Sequence, residues 1–124
     1  MRILLDTRVF IWWDDDSPAL APALREAIAD PGNEIYVSAA SVWEIAIKRR
    51  RGKIAFTHGI SDTVAKNGFL VVPITAGHAE HAGGLPRHHG DPFDRMLIAQ
   101  AVLENMALGT QDEMMRPYGV ATIG

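Results

Sequence analysis

Four acidic residues that lie far apart along the chain have surroundings that suggest chemistry: Asp6, Glu44, Asp94 and Asp112. Asp6 follows Ile3–Leu5, a short apolar run typical of a buried strand, and Asp112 lies just beyond a second predicted strand, 106–110. Ligands of open α/β sheets bind at the carboxyl ends of the strands. Both acids are therefore candidates for a site at that edge, although Asp6 could instead only cap the helix that follows.

Asp94 lies inside a helix that the Asp91–Pro92 pair is predicted to start, with Asp91 as its cap. It shares a face with Leu97 and Ile98, at the spacing of a core-facing stripe. An ionised carboxylate is costly to bury. We therefore expect Asp94 to cap its own helix, to pair with a base such as Arg95, or to bind a cation with other carboxylates.

Two interpretations of Glu44 remain equally open from the residues alone. Ser41 and Glu44 have the spacing of a capping box, which would make Glu44 a structural residue. If Ser38 caps the helix instead, Glu44 lies within an apolar stretch with no basic partner at hand.

Composition restricts the class of protein. The 124 residues, 48% hydrophobic, predict a single domain over residues 1–124. The absence of cysteine excludes a disulfide framework or a zinc–thiolate site and favours the cytoplasm. No apolar run approaches a membrane span, and no export signal is visible. A net charge of −3 argues against indiscriminate phosphate binding.

Strands alternate with helices, which predicts an α/β domain with a mainly parallel central sheet. The predicted strands are 3–5, 35–37, 69–72 and 106–110, with 118–123 as a possible edge strand. The predicted helices are 22–29, one starting at 38–41, 60–67, 75–82 and one starting at 92. Gly109 weakens the expected pairing of the fourth strand, because it has no side chain to pack.

Other residues allow more than one role. The basic run Lys48–Lys53 is either a solvated helix end or a contact to a phosphate backbone. The bulky segment Val9–Trp13 favours core or subunit contact over base stacking. A zinc site at His78 and His81 is disfavoured, because no third ligand is evident. His88 and His89 lie in a loop, where they could contact substrate or simply be exposed.

If the fold brings the four acids together, they must repel one another. Each close pair would cost about 4 kcal/mol at 4 Å with an effective dielectric near 20. A bound divalent cation relieves this repulsion, and oxygen ligands favour Mg²⁺ or Mn²⁺ over zinc. Such ions bind phosphate oxygens, so the pattern suits metal-assisted hydrolysis of a phosphodiester.

The chain resembles the PIN-domain ribonucleases, and among them the VapC-like toxins of type II toxin–antitoxin pairs. The likeness is carried by LLDT at 4–7, SAASVWEIAIK at 38–48, LPRHHGDPFDR at 85–95, LIAQA at 97–101 and TQD at 110–112. By this resemblance the acidic positions of the family fall on Asp6, Glu44, Asp94 and Asp112. Residues that could support them or contact substrate are Thr7, Asp91, Arg95 and Thr110.

The resemblance implies a PIN-like fold and an endoribonuclease dependent on Mg²⁺ or Mn²⁺, in which a metal-activated water attacks RNA. It also implies a homodimer and a cognate VapB-like antitoxin that covers the site. Two departures from the family pattern, Arg8 after Asp-Thr and Gly109 before the Thr-x-Asp, predict a less firmly held fourth strand and weaker catalysis.

Two alternatives belong to other classes. A haloacid-dehalogenase-like phosphatase also has an Asp after its first strand but needs a second Asp where this chain has Arg8. A catalytically silent PIN-like module that only binds an antitoxin is compatible with the same sequence.

Overall fold

A computed structural model describes residues 1–124 and contains one five-stranded sheet with helices on both faces. The strands are β1 (Arg2–Leu5), β2 (Glu34–Ser38), β3 (Leu70–Val72), β4 (Ala107–Gly109) and β5 (Thr122–Ile123). The helices are α1 (Thr7–Asp14), α2 (Pro22–Ala29), α3 (Ala39–Arg50), α4 (Ile60–Lys66), α5 (Ala76–Gly83) and α6 (Pro92–Leu103). The strand order is β3-β2-β1-β4-β5, and every neighbouring pair is parallel. The predicted α/β architecture is confirmed.

The central strand β1 is buried on both faces, as its continuous apolar sequence requires. Ile3 and Leu5 belong to the core on one side of the sheet, and Leu4 belongs to the core on the other side. All three side chains are fully buried. Asp6, which directly follows Leu5, is therefore attached to a firmly packed strand.

The strands that follow β1 in the sequence are added first on one side of it and then on the other. From β1 the chain proceeds outward to β2 and β3 on one side, then returns through α6 to β4 and β5 on the other. Such a switch point leaves a crevice beyond the carboxyl ends of the two strands that flank it. Here those strands are β1 and β4, which end immediately before Asp6 and Thr110.

Gly109 is paired with both neighbouring strands, although its missing side chain predicted weaker pairing. It pairs with Leu5 of β1 and Ile123 of β5, and its carbonyl accepts a hydrogen bond from the Asp6 N–H at 2.9 Å. A Cβ at this position would lie 3.1 Å from Leu5 Cδ2 and 3.3 Å from Leu24 Cδ2. Neighbouring side chains therefore already fill the space that a side chain here would occupy.

The C-terminal part differs from the predicted strand 118–123. Residues Glu113–Tyr118 form a 3₁₀ helix that Gly119 ends in the left-handed region at φ +74°, and β5 is only two residues long. Glycine adopts this backbone conformation without steric cost. No helix combines the length and apolar character that crossing a lipid bilayer demands.

Candidate active site

The fold brings the four predicted acids to one cavity of about 670 Å³ at the switch point of the sheet. Asp6 and Asp112 reach it from the ends of β1 and β4, while Glu44 and Asp94 reach it from α3 and α6. The helix cap Asp91 also lines the cavity. Residues separated by up to 106 positions in the sequence thus share one site.

Asp6 caps the helix that follows it and also lines the cavity. Its Oδ1 accepts a hydrogen bond from the Val9 N–H at 2.7 Å and so caps α1, while its Oδ2 accepts a short hydrogen bond from the Thr110 hydroxyl. Burial raises the pKa of Asp6, an effect that these two hydrogen bonds oppose and the charge of Asp112 reinforces. The charge of Arg8 also lowers the pKa of Asp6, so nearby positive charge favours the ionised carboxylate.

Thr110 links the two acids at the sheet edge. It is fully buried, its hydroxyl donates to Asp6, and the same oxygen accepts from the Asp112 N–H at 3.0 Å. Thr7 has a comparable bridging position, because its hydroxyl donates to Ser41 Oγ at 2.9 Å and so joins α1 to α3. Thr110 therefore connects Asp6 to Asp112, and Thr7 connects the helix that Asp6 caps to the helix that carries Glu44.

Ser38 caps α3, which resolves the open question about Glu44. The Ser38 hydroxyl oxygen accepts from the Ala40 N–H at 3.0 Å, so Glu44 lies well inside the helix. Only 6% of Glu44 is exposed, and its Oε2 pairs with Lys48 Nζ at 2.8 Å, so the expectation that no basic partner lies at hand was wrong. Its Oε1 is buried and has no partner. An unpartnered buried carboxylate oxygen is costly, and a bound cation or a water molecule would satisfy it.

Asp91 caps α6 as predicted, and its Oδ1 accepts from the N–H groups of Phe93 and Asp94. The side chain of Asp94 is left to face the cavity. Burial, together with the carboxylates of Asp91, Glu44 and Asp6, raises the pKa of Asp94 to about 7, against the opposing influence of His89. This is the charge crowding expected of clustered acids.

Arg95 does not pair with Asp94. Its guanidinium donates to four backbone carbonyls in the segment before α6, those of Ala82, Leu85, Pro86 and His89. The structure thus places Arg95 beneath the loop that leads into the site.

His89 lies between two of the acids, a role that the sequence left undecided. Its Nε2 is 2.9 Å from Asp94 Oδ2 and 3.2 Å from Asp112 Oδ2. Its Nδ1 accepts from the Asp91 N–H at 3.3 Å, so Nε2 carries the proton and donates to the carboxylates. The available sequence signal was its position two residues before the cap of α6.

The acids fit a hard divalent cation. Oxygen donors dominate the set, Glu44 has an oxygen without a partner, and carboxylate oxygens of Asp94 and Asp112 lie within 4.8 Å of each other. By contrast, His78 is buried and bonds its own helix start, where its Nδ1 accepts from the Thr75 N–H. That contact gives His78 a structural role and offers no support for zinc.

The basic run divides into residues with different roles. Lys48 lines the cavity, whereas Arg49 donates to the carbonyls of Phe56 and His58. Arg50 and Arg51 are exposed. Lys53 is exposed as well, so Arg50, Arg51 and Lys53 remain available for the phosphate contact that the sequence suggested.

A family model describing the PIN domain matches residues 3–120. The chain therefore belongs to the PIN domain family, as its resemblance predicted. It is also VapC-like, being 30% identical over 119 residues to ribonuclease VapC22 of Mycobacterium tuberculosis, across 94% of this chain and 91% of that protein.

Two solved structures share the fold at low sequence identity. VapBC2 from Rickettsia felis, bound to a DNA fragment from its promoter, matches with a TM-score of 0.67 and 16% identity, covering 98% of this chain and 97% of that chain. VapBC-1 from nontypeable Haemophilus influenzae matches with a TM-score of 0.66 and 19% identity, covering 98% and 96%. Both support the assignment of the fold.

Proposed function

We propose that this protein is a divalent-metal-dependent endoribonuclease that acts as the toxin of a type II toxin–antitoxin pair. The observation that carries the proposal is the convergence of Asp6, Glu44, Asp94 and Asp112 on one cavity, with a buried Glu44 oxygen lacking any partner. Membership of the PIN domain family and the likeness to ribonuclease VapC22 support a nuclease.

The four acids would hold Mg²⁺ or Mn²⁺. When bound, the ion supplies Lewis-acid stabilisation of a phosphoryl group and makes water a stronger nucleophile at neutral pH. Because phosphodiester oxygens are anionic, positive charge among these carboxylates is also needed for RNA to enter. Both requirements follow from the same cluster.

The chain's own residues orient this cluster. Thr110 fixes the distance between Asp6 and the Asp112 backbone, and Lys48 holds one oxygen of Glu44 while the other is buried without a partner. Asp91 occupies the free N–H groups of α6, so the Asp94 carboxylate is not used as a cap. Preorganised carboxylates of this kind reduce the reorganisation needed when substrate binds.

A VapB-like antitoxin and a second copy of the chain are the proposed protein partners. The support is that the structural neighbours described above are VapBC proteins. The phosphatase alternative is set aside, because the matching family model is that of the PIN domain and Arg8 stands where the second phosphatase Asp would be required.

Cleavage of RNA by purified protein tests the proposal. We expect wild-type protein to cut total RNA with Mg²⁺ or Mn²⁺ and to stop when the metal is chelated. Asp94→Asn, purified through the same steps, should lose at least about 100-fold in rate, and Asp62→Asn on exposed α4 is the matched control. Full activity in Asp94→Asn would reject the proposed site, and an inactive wild type that still binds antitoxin would favour the silent module.

A further inference from the structure

One wall of the acid-lined cavity is neither acidic nor used in the mechanism above. It is formed by α1 and the segment after α3, and it consists of Arg8, Ile11, Trp12 and Ile54. Trp12 is half-buried, so part of its ring remains accessible from the cavity. An aromatic and cationic surface thus directly adjoins the acids.

Arg8 is the cavity cation without a partner. The other, Lys48, is paired with Glu44, whereas Arg8 makes no hydrogen bond or salt bridge within the chain. Its guanidinium carbon lies 5.9 Å from the centroid of the Trp12 ring, within cation–π range. The guanidinium thus lies over the indole ring without a hydrogen bond to hold it there, so it can turn toward a phosphate and leave this face to a base.

We propose that Arg8 and Trp12 form a nucleotide subsite, in which Trp12 stacks on an unpaired RNA base next to the cleaved linkage and Arg8 contacts a neighbouring phosphate. This inference rests on the proposed ribonuclease function and specifies its substrate class as single-stranded RNA. A base can stack on a side chain only when it is free of its own helix, and stacking on aromatic residues is the common way proteins hold such bases.

The charge pattern favours RNA over a protein occupant. A polyanion entering beside four carboxylates gains from an unpaired cation on the opposite wall, and the planar guanidinium matches phosphate in a bidentate manner. An apolar peptide segment would use Ile11, Trp12 and Ile54 but would leave the Arg8 charge without a partner. Trp12 also packs against the core, as the sequence predicted, and the proposed base contact would use the part of its ring that lines the cavity.

The test separates binding from cleavage. In an Asp94→Asn background, the affinity for a labelled single-stranded RNA is measured by fluorescence anisotropy, so that the result does not depend on catalysis. Trp12→Leu retains apolar bulk but has no ring, and it should bind about 5- to 100-fold more weakly, the range of one stacked base. Trp12→Phe should recover most of the loss.

Trp13→Leu is the matched control. Trp13 is the next residue and is equally half-buried, but it packs against Phe69 and donates to Asn67 Oδ1, away from the cavity. Its substitution should leave RNA affinity within about twofold of the background protein. A duplex of the same sequence should not discriminate Trp12→Leu from the background.

Arg8 is tested through the salt dependence of binding. Arg8→Gln should lower the slope of log affinity against log salt by about 0.7, the contribution of one phosphate contact on a single strand. Arg87→Gln, an exposed arginine outside the cavity wall, should not change it.

The subsite is refuted if Trp12→Leu binds single-stranded RNA as tightly as the background protein, or if Trp13→Leu loses as much. It is also refuted if Trp12→Leu loses only the binding of a VapB-like antitoxin, which would assign the wall to protein. If wild-type protein fails to cleave RNA yet Trp12 and Arg8 behave as expected, the subsite stands and the proposed catalysis falls.

Discussion

Individual hydrogen bonds decide which acids are free to bind a ligand. Thr110 and Asp91 satisfy the structural requirements around Asp6 and at the start of α6, and this leaves carboxylate oxygens facing the cavity. The acids themselves could be predicted, because strand ends and family spacing mark them. The position of His89 between Asp94 and Asp112 could not be predicted, because side-chain pairing across elements leaves no periodic signal. The Lys48–Glu44 pair lies within α3 at the i,i+4 spacing, which is a signal present in the sequence.

Thr110→Val removes one hydroxyl and keeps the shape of the side chain. The buried Asp6 Oδ2 would lose its donor and the Asp112 N–H would lose its acceptor, so the free energy of unfolding should fall by about 1–3 kcal/mol. Urea denaturation measures the change, and Thr110→Ser, which retains the hydroxyl, is the control. Equal stability of Thr110→Val and wild type would show that this bridge is unimportant.

Asp94 predicts an unusual pH dependence of stability in metal-free protein. Its folded pKa of about 7 lies above the ordinary value of an unfolded aspartate, so the folded state binds more protons between the two. Stability from this group is therefore present at low pH and is lost as pH rises from about 4 through 7. Asp94→Asn should flatten that decline in unfolding experiments at pH 5 and pH 8 with chelator. Parallel pH profiles for the two proteins would contradict the assigned charge crowding.

At the scale of elements, periodicity and capping signals predicted most helices and strands with their approximate bounds. Helix α2 matches the predicted 22–29, and β2 and β3 are each within two residues of the prediction. The C-terminal segment was less predictable, because the 3₁₀ helix and the brief β5 depend on pairing with β4 and not on a local pattern. The packing around β4 likewise depends on side chains from other elements, which the sequence near Gly109 does not reveal.

Gly109→Val tests whether β4 is already closely packed. The added methyl groups would meet Ile3, Leu5 and Leu24, so we expect a loss of about 1–3 kcal/mol in unfolding free energy from overpacking. Thermal or urea unfolding measures this loss of stability. Ala107→Val, in the same strand, is the matched control. A gain in stability would mean that the core yields and that Gly109 does weaken the strand.

Arg50 and Arg51, at the end of α3, are candidates for the predicted contact to an RNA backbone. Arg50→Gln combined with Arg51→Gln should reduce the salt dependence of RNA binding by about 0.7 in slope for each phosphate contact that is lost. Arg49 is left unchanged, because it supports the chain at Phe56 and His58. An unaltered slope would assign the run to solvated surface.

At the scale of the whole molecule, the parallel sheet makes one site from remote residues. The α/β class and the edge at which the acids meet follow from alternating elements and the switch-point rule. The cavity wall with Arg8 and Trp12 could not be predicted in this way, because it arises where α1 faces the segment after α3. Its position depends on tertiary packing alone.

Calorimetric titration of Mn²⁺ into metal-free protein at pH 8 tests the central claim most directly. We predict saturable binding by wild type that is weakened at least about tenfold in Asp6→Asn and in Asp94→Asn, because each removes one anionic ligand, and that is unchanged in Asp62→Asn. If wild type shows no saturable binding, or if all four proteins bind alike, the converging carboxylates do not form a metal site.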